Sequence, residues 1–133
     1  DAVYGVSAGA ITGAYFSARQ AIMGTTIFYD TLTDQRFINP RRAFSRSASM
    51  MSLDYLINDV LESQRPLDFE GVIDSSTPLS IFAADTQGGK MINLGAGDSR
   101  DALKARLTAA PLIPFIAGDP ITIEGHSLLD GGL

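Results

Sequence analysis

Two hydrophobic periods alternate along the chain, and their order sets the expected architecture. Asp1 to Tyr4 has the apolar, β-branched character of a short buried strand, and the glycines that follow permit an abrupt turn. Ile11, Ala14, Tyr15, Ala18 and Ile22 then recur at helical spacing, with Gly24 placed to end the helix. Thr26 to Tyr29 reads as a second short strand, and the polar stretch that runs on to Arg46 carries no assignable element. Leu53, Leu56, Ile57, Val60 and Leu61 follow the spacing of a helix with one buried stripe; Ser52 is its expected N-cap and Pro66 lies past its end.

The second half continues the alternation. Leu79 to Ala84 is a short, almost wholly apolar run suited to a strand covered on both faces. Gln87-Gly88-Gly89-Lys90 predicts a turn into a further strand over Met91 to Leu94. Asp98 or Ser99 can cap a helix through Thr108, with Leu103 and Leu107 inside; Pro111 and Pro114 break it. Extended structure resumes at Ile121 to Ile123, turns at Gly125-His126, and returns through Leu128-Leu129. Strands that alternate with helices predict an α/β sandwich with a largely parallel sheet, as a single domain over residues 1–133 without internal repeat or linker.

Composition narrows the function classes. A chain of 133 residues that is 45% hydrophobic is long enough to bury one core and reads as soluble and globular. A net charge of −5 argues against nucleic acid as a partner. The absence of cysteine removes disulfides and thiolate metal sites, His126 is the sole histidine, and no cluster of histidine and carboxylates suggests a metal. Arg19 and Gln20 interrupt the best membrane-span candidate, and the opening segment lacks a signal-peptide pattern, so a cytoplasmic location is the expectation. The chain starts on Asp1 directly at a strand and stops at Leu133, and so reads as cut from something longer.

The chemistry concentrates at the two ends. Gly5-Val6-Ser7-Ala8-Gly9 places a serine between an apolar strand and an apolar-faced helix. A serine hydroxyl is a weak nucleophile until a base takes its proton and its oxygen is exposed. A tight strand-to-helix turn supplies the exposure, with the small Gly5 and Gly9 allowing the sharp fold and the helix aiming its free N–H groups at the reaction centre. The backbone N–H of Ala8 would then be one donor to the oxyanion. At the far end, Asp130-Gly131-Gly132 puts a carboxylate at a strand terminus where the glycines let the chain turn away.

The run GVSAGA after a short strand, a distant TAAPLIPF, and then a strand, a turn and LLDGGL resembles the patatin-like phospholipase family of serine acyl hydrolases. The similarity covers both ends and matches poorly between about Thr25 and Ser76. The resemblance implies a three-layer α/β/α sandwich. It also implies a dyad of Ser7 as nucleophile and Asp130 as general base, a lipid or other ester as substrate, transient contact with a membrane surface, and no cofactor or metal. The family builds most of its oxyanion hole from a glycine-rich loop upstream of the nucleophile strand, a position that would precede Asp1.

Rival readings have their own residues. An α/β-hydrolase triad would run Ser7, then Asp85, Asp98 or Asp119, then His126. A non-catalytic module could keep the fold without the chemistry. Arg36, Arg41, Arg42 and Arg46 crowd four basic residues together; a solvated loop is the preferred explanation and phosphate-headgroup attraction the alternative. Gly88-Gly89-Lys90 is too short for a phosphate loop and reads as a turn.

Overall fold

The computed structural model describes residues 1–30, 33–44 and 49–133. Strand β1 (Val3–Val6) passes through Ser7 directly into helix α1 (Ala8–Ser17). The helix ends sooner than its apolar spacing predicts. Arg19 adopts φ +60°, its N–H bonds the Phe16 carbonyl at 3.0 Å, and the Gln20 N–H reaches the Tyr15 carbonyl at 2.7 Å. These two bonds are the paired closure of a Schellman cap, with arginine where glycine is usual.

Helix α2 (Ala21–Asp30) then turns back against α1 and takes in both Gly24 and the segment expected as a strand. Gly24 does not end a helix: it lets two helices touch, because a Cβ there would lie 2.6 Å from Tyr15 Cβ. The β-branched residues that favour extended structure are held helical by local bonds. Thr25 and Thr26 donate their hydroxyls to the carbonyls of Ile22 and Met23, each at 2.8 Å, while Ile27 enters the core.

A short 3-10 turn (Pro40–Phe44) and a single bridge between Ile38 and Met51 lead to the next helix. Ser52 caps it as expected, accepting the Tyr55 N–H at 3.2 Å, but Tyr55–Gln64 winds as a π-helix. The winding ends where the Arg65 N–H meets the Val60 carbonyl, an i to i−5 bond of 2.8 Å. Leu56, Ile57, Val60 and Leu61 are buried on it, as the stripe predicts. Helix α3 (Phe69–Ile73), capped by the Asp68 carboxylate, precedes strand β2 (Leu79–Asp85) and strand β3 (Lys90–Asn93). Ser99 caps helix α4 (Arg100–Ala109), and strands β4 (Ile121–Ile123) and β5 (His126–Asp130) follow.

The fold is mixed α/β, but the sheet is not largely parallel. Its order is β1-β2-β5-β4 with β3 also paired to β2, and β1–β2 is the parallel ladder while β2–β3, β2–β5 and β4–β5 are antiparallel. For β2–β3 and β4–β5 the reason is connection length. Strands joined by a tight turn can only run antiparallel. Glu124 and Gly125, at φ +52° and +83°, make such a turn between β4 and β5, one residue earlier than the expected Gly125-His126.

Layering differs from expectation too. Leu79, Ile81 and Ala83 share one face of β2 and are buried with residues of α1, α3, α4 and the π-helix. The opposite face carries Tyr4, which is 72% exposed and meets Phe82 with ring centroids 6.2 Å apart. The described residues therefore form two layers, because β2 is fully covered on alternate residues only and not on both faces. Among the described residues no helix is long and apolar enough to cross a membrane.

Gly24→Ala is expected to destabilise the protein by about 1–3 kcal/mol through overpacking against Tyr15, and Arg19→Gly to stabilise it by about 1 kcal/mol by relieving the left-handed backbone. Urea midpoints measured side by side check both signs.

Candidate active site

Ser7 owes its position to the junction between β1 and α1. Its backbone sits at φ +53° and ψ −134°, a conformation that residues with side chains rarely adopt, so the turn presents the hydroxyl at the cost of local strain. Gly5 makes the turn possible: a Cβ there would fall 2.5 Å from Ala10 Cα, inside the first turn of α1. Gly13 lets the same helix settle on the sheet, since its Cβ would lie 2.9 Å from side-chain carbons of both Val3 and Leu79. Gly9, expected to share the role of Gly5, has open space where its side chain would be and is exposed. No steric need for a glycine exists there.

Asp130 arrives from the other end of the chain. Val6 at the end of β1 pairs with Phe82, and Asp130 at the end of β5 pairs with the adjacent Ala83, so β2 carries both strand ends to one level of the sheet. Asp130 is 3% exposed, on the helix-covered face. The Ser7 hydroxyl donates to its Oδ2 across 123 residues of sequence. Its other oxygen, Oδ1, accepts the Gly132 N–H at 2.7 Å, and its own N–H donates to the Leu112 carbonyl at 3.0 Å. Carboxylate and backbone are thus fixed from three sides.

The two glycines after Asp130 both sit where a side chain would crowd its neighbours. A Cβ on Gly131 would come within 2.8 Å of Met91 Cε and 3.2 Å of Val6 Cγ1; one on Gly132 would stand 3.2 Å from Asp130 Oδ1. Ala8, the first residue of α1, carries an N–H without a partner inside the helix, beside Ser7 and at the positive end of the helix dipole.

His126 lies elsewhere. It begins β5, roughly 13 Å from Asp130 at the usual strand rise, and its Nδ1 pairs with Asp85 Oδ2 at 3.1 Å. The structure brings Ser7 to Asp130 and His126 to Asp85, and does not bring the two pairs together. Asp98 and Asp119 are exposed and form no bond with His126 among the described residues. Asp85 is held below the usual carboxylate range, first by the Gln87 N–H and then by the His126 ring. No three histidine, aspartate or glutamate side chains among the described residues group as a metal would need.

A cavity of about 200 Å³ opens beside the serine. Apart from Ser7 its lining is wholly apolar: Ala8 and Ile11 from α1, Ile27 and Phe28 from α2, Phe37, Met51, Leu56, and Pro111 and Ile113 from the loop after α4. Leu56 belongs to the helical stripe that the spacing predicts, whereas Phe37 lies in the polar stretch without an assignable element, where an isolated apolar residue was the only hint.

The arginine stretch separates into unlike parts. Arg36 binds Asp34 at 2.6 Å and lies 4.8 Å over the Tyr55 ring, so its charge is balanced locally. That guanidinium, with its own backbone N–H, lowers the Asp34 carboxyl to about 2. Arg41 and Arg42 form no ion pair among the described residues, and Arg46 lies outside them. No family model matches this chain, and no curated protein matches it either.

A depressed folded-state pKa means that Asp85 adds stability above its unfolded value near 4 and loses that contribution as pH falls through the folded value. Asp85→Asn should therefore lower the urea midpoint at pH 7, and the gap to the unmodified protein should close as pH falls below about 4. A gap independent of pH would assign the loss to packing.

Proposed function

We propose that the protein is a serine acyl hydrolase that cleaves a carboxylic ester of a lipid, with Ser7 and Asp130 as its catalytic dyad. The observation that carries this reading is the hydrogen bond from the Ser7 hydroxyl to Asp130 Oδ2, made by the two residues furthest apart that the motifs single out. The apolar cavity beside Ser7 supports an acyl chain rather than a polar substituent as the group next to the scissile carbonyl.

The steps follow from that geometry. Ser7 Oγ attacks the ester carbonyl as its proton passes to Asp130 Oδ2, and the new C–O bond leaves a negative charge on the former carbonyl oxygen. The Ala8 N–H, reinforced by the N-terminus of α1, is the donor for that charge. The tetrahedral centre collapses, the bond to the leaving alcohol breaks, and Asp130 returns the proton to it. Water then repeats the sequence on the acyl-serine: Asp130 takes a water proton, the Ser7 ester breaks, and Ser7 recovers its hydrogen while the carboxylic acid departs.

An isolated carboxylate is a weak base towards an alcohol, so geometry has to supply what basicity does not. Burial keeps water from competing for Asp130 Oδ2, and the Gly132 N–H on Oδ1 holds the plane of the carboxylate towards Ser7. Preformed alignment of this kind lowers the entropic part of the barrier. The patatin-like resemblance of the two motifs points the same way, with a Ser-Asp dyad and no cofactor.

With a chromogenic butyrate ester, Ser7→Ala and Asp130→Asn should each lower kcat by about three orders of magnitude or more. His126→Ala should stay within a few-fold of the unmodified enzyme, because its partner is Asp85. A fluorophosphonate should label the unmodified protein and not Ser7→Ala. Equal turnover in Asp130→Asn, or absence of labelling, would remove the dyad.

A further inference from the structure

The loop from Ala110 to Gly118 serves the site twice and then does something the site does not need. Pro111 and Ile113 line the cavity beside Ser7, and the Leu112 carbonyl holds the Asp130 N–H. Two residues beyond Ile113, the side chain of Phe115 is 98% exposed on a backbone of φ +65°, and Ile116 beside it is 39% exposed. The segment is not frayed: the Ala117 N–H bonds the Ile113 carbonyl at 2.8 Å and the Met51 N–H bonds the Ile116 carbonyl at 2.7 Å. Fixed bonds therefore hold a phenyl ring out in solvent on a conformation that glycine would adopt without strain, two unfavourable features at a single residue.

Positive charge lies alongside. Arg42 and Ala117, two residues from Phe115, border the same shallow depression of about 220 Å³, and Arg41 next to Arg42 is exposed. The acid in that depression, Asp54, is engaged by the Asn58 amide at 2.7 Å, and Asp119 is exposed four residues past Phe115. Neither Arg41 nor Arg42 meets a carboxylate among the described residues.

We infer that Phe115 and Ile116, flanked by Arg41 and Arg42, dock the mouth of the cavity on a phospholipid surface, with the two apolar side chains in the acyl region and the guanidinium groups at the headgroup phosphates. The inference rests on the lipid-hydrolase reading for its substrate. Apolar side chains beside snorkelling cations match the layering of a bilayer interface. Two exposed side chains fall far short of the roughly 800 Å² per partner that a stable protein interface uses. The loop that would insert also lines the cavity, so a docked protein would draw an acyl chain from the surface to Ser7 without exposing it to water.

Vesicle sedimentation with the full chain carrying Ser7→Ala, which prevents turnover, tests this without relying on hydrolysis. Phosphatidylcholine vesicles should bind this protein, and adding Phe115→Ser should weaken binding roughly ten- to hundredfold, the factor for losing a buried phenylalanine. Arg41→Gln with Arg42→Gln should cost about fivefold per arginine on phosphatidylglycerol vesicles at low salt and little on phosphatidylcholine. Phe115→Gly should bind as weakly as Phe115→Ser yet melt at a higher temperature, which separates lost docking from lost folding.

Unchanged vesicle binding in Phe115→Ser would overturn the inference. So would a concentration-dependent dimer that Phe115→Ser abolishes in a protein indifferent to vesicles, a result that assigns the patch to a second copy of the chain. In the Ser7-containing background, Phe115→Ser should still cleave the soluble butyrate ester. If no form of the protein cleaves that ester while vesicle binding behaves as described, the hydrolase reading fails and the docking surface stands.

Discussion

A hydroxyl and a buried carboxylate from opposite ends of the sequence share a hydrogen bond over one strand, and the surrounding structure is arranged to keep them there. Ser7 is aimed by a strained backbone that only the absence of a side chain at Gly5 allows, and α1 can approach the sheet because Gly13 leaves room between Val3 and Leu79. Asp130 is gripped at its N–H by Leu112 and at Oδ1 by Gly132. Burying a carboxyl group that lacks partners is costly; here both oxygens of Asp130 accept hydrogen bonds, from Ser7 and from Gly132.

The same arrangement explains why the cavity sits where it does. Helices α1 and α2 are joined by a tight cap at Arg19 and touch closely at Gly24, which brings Ile11 and Ile27 to one wall. The π-helix supplies Leu56 and the loop after α4 supplies Pro111 and Ile113. Elements that are unremarkable alone converge on the one turn with reactive chemistry. On the proposed reading, an apolar recess ending at Ser7 favours substrates with a hydrocarbon substituent over polar ones, which would lose their hydration there.

Much of this was legible in the residues, and the failures have physical causes. Strand β2, the turn at Gly88-Gly89, the Ser52 and Ser99 caps and the buried positions of α4 follow from local rules, and local interactions realise them. The pairing of Ser7 with Asp130 was legible because each sits in a context that few other residues share. Thr26 to Tyr29 misled because β-branching favours strands, whereas threonine hydroxyls bonded within the helix and Ile27 buried on α1 outweigh a small propensity. The break at Arg19 carried no signal, since glycine or asparagine would mark a left-handed cap and arginine does not. Strand direction was misjudged because alternating elements suggest crossovers, while the actual pairs β2–β3 and β4–β5 are hairpins. The reach of Phe37 and Met51 into the cavity depends on tertiary packing that periodicity does not encode.

The place of β5 in the sheet has a consequence for how the protein is born. The strand comes last in sequence among those described, yet it lies between β2 and β4, and with it comes Asp130, the partner of the Ser7 hydroxyl. Contacts of such long range are the slow ones to form, and a chain made from its N-terminus at about 5–20 residues per second exposes Ser7 several seconds before Asp130 is available. On the proposed dyad, a nascent polypeptide on the ribosome would carry Ser7 without its proton acceptor until the final strand slots into the sheet.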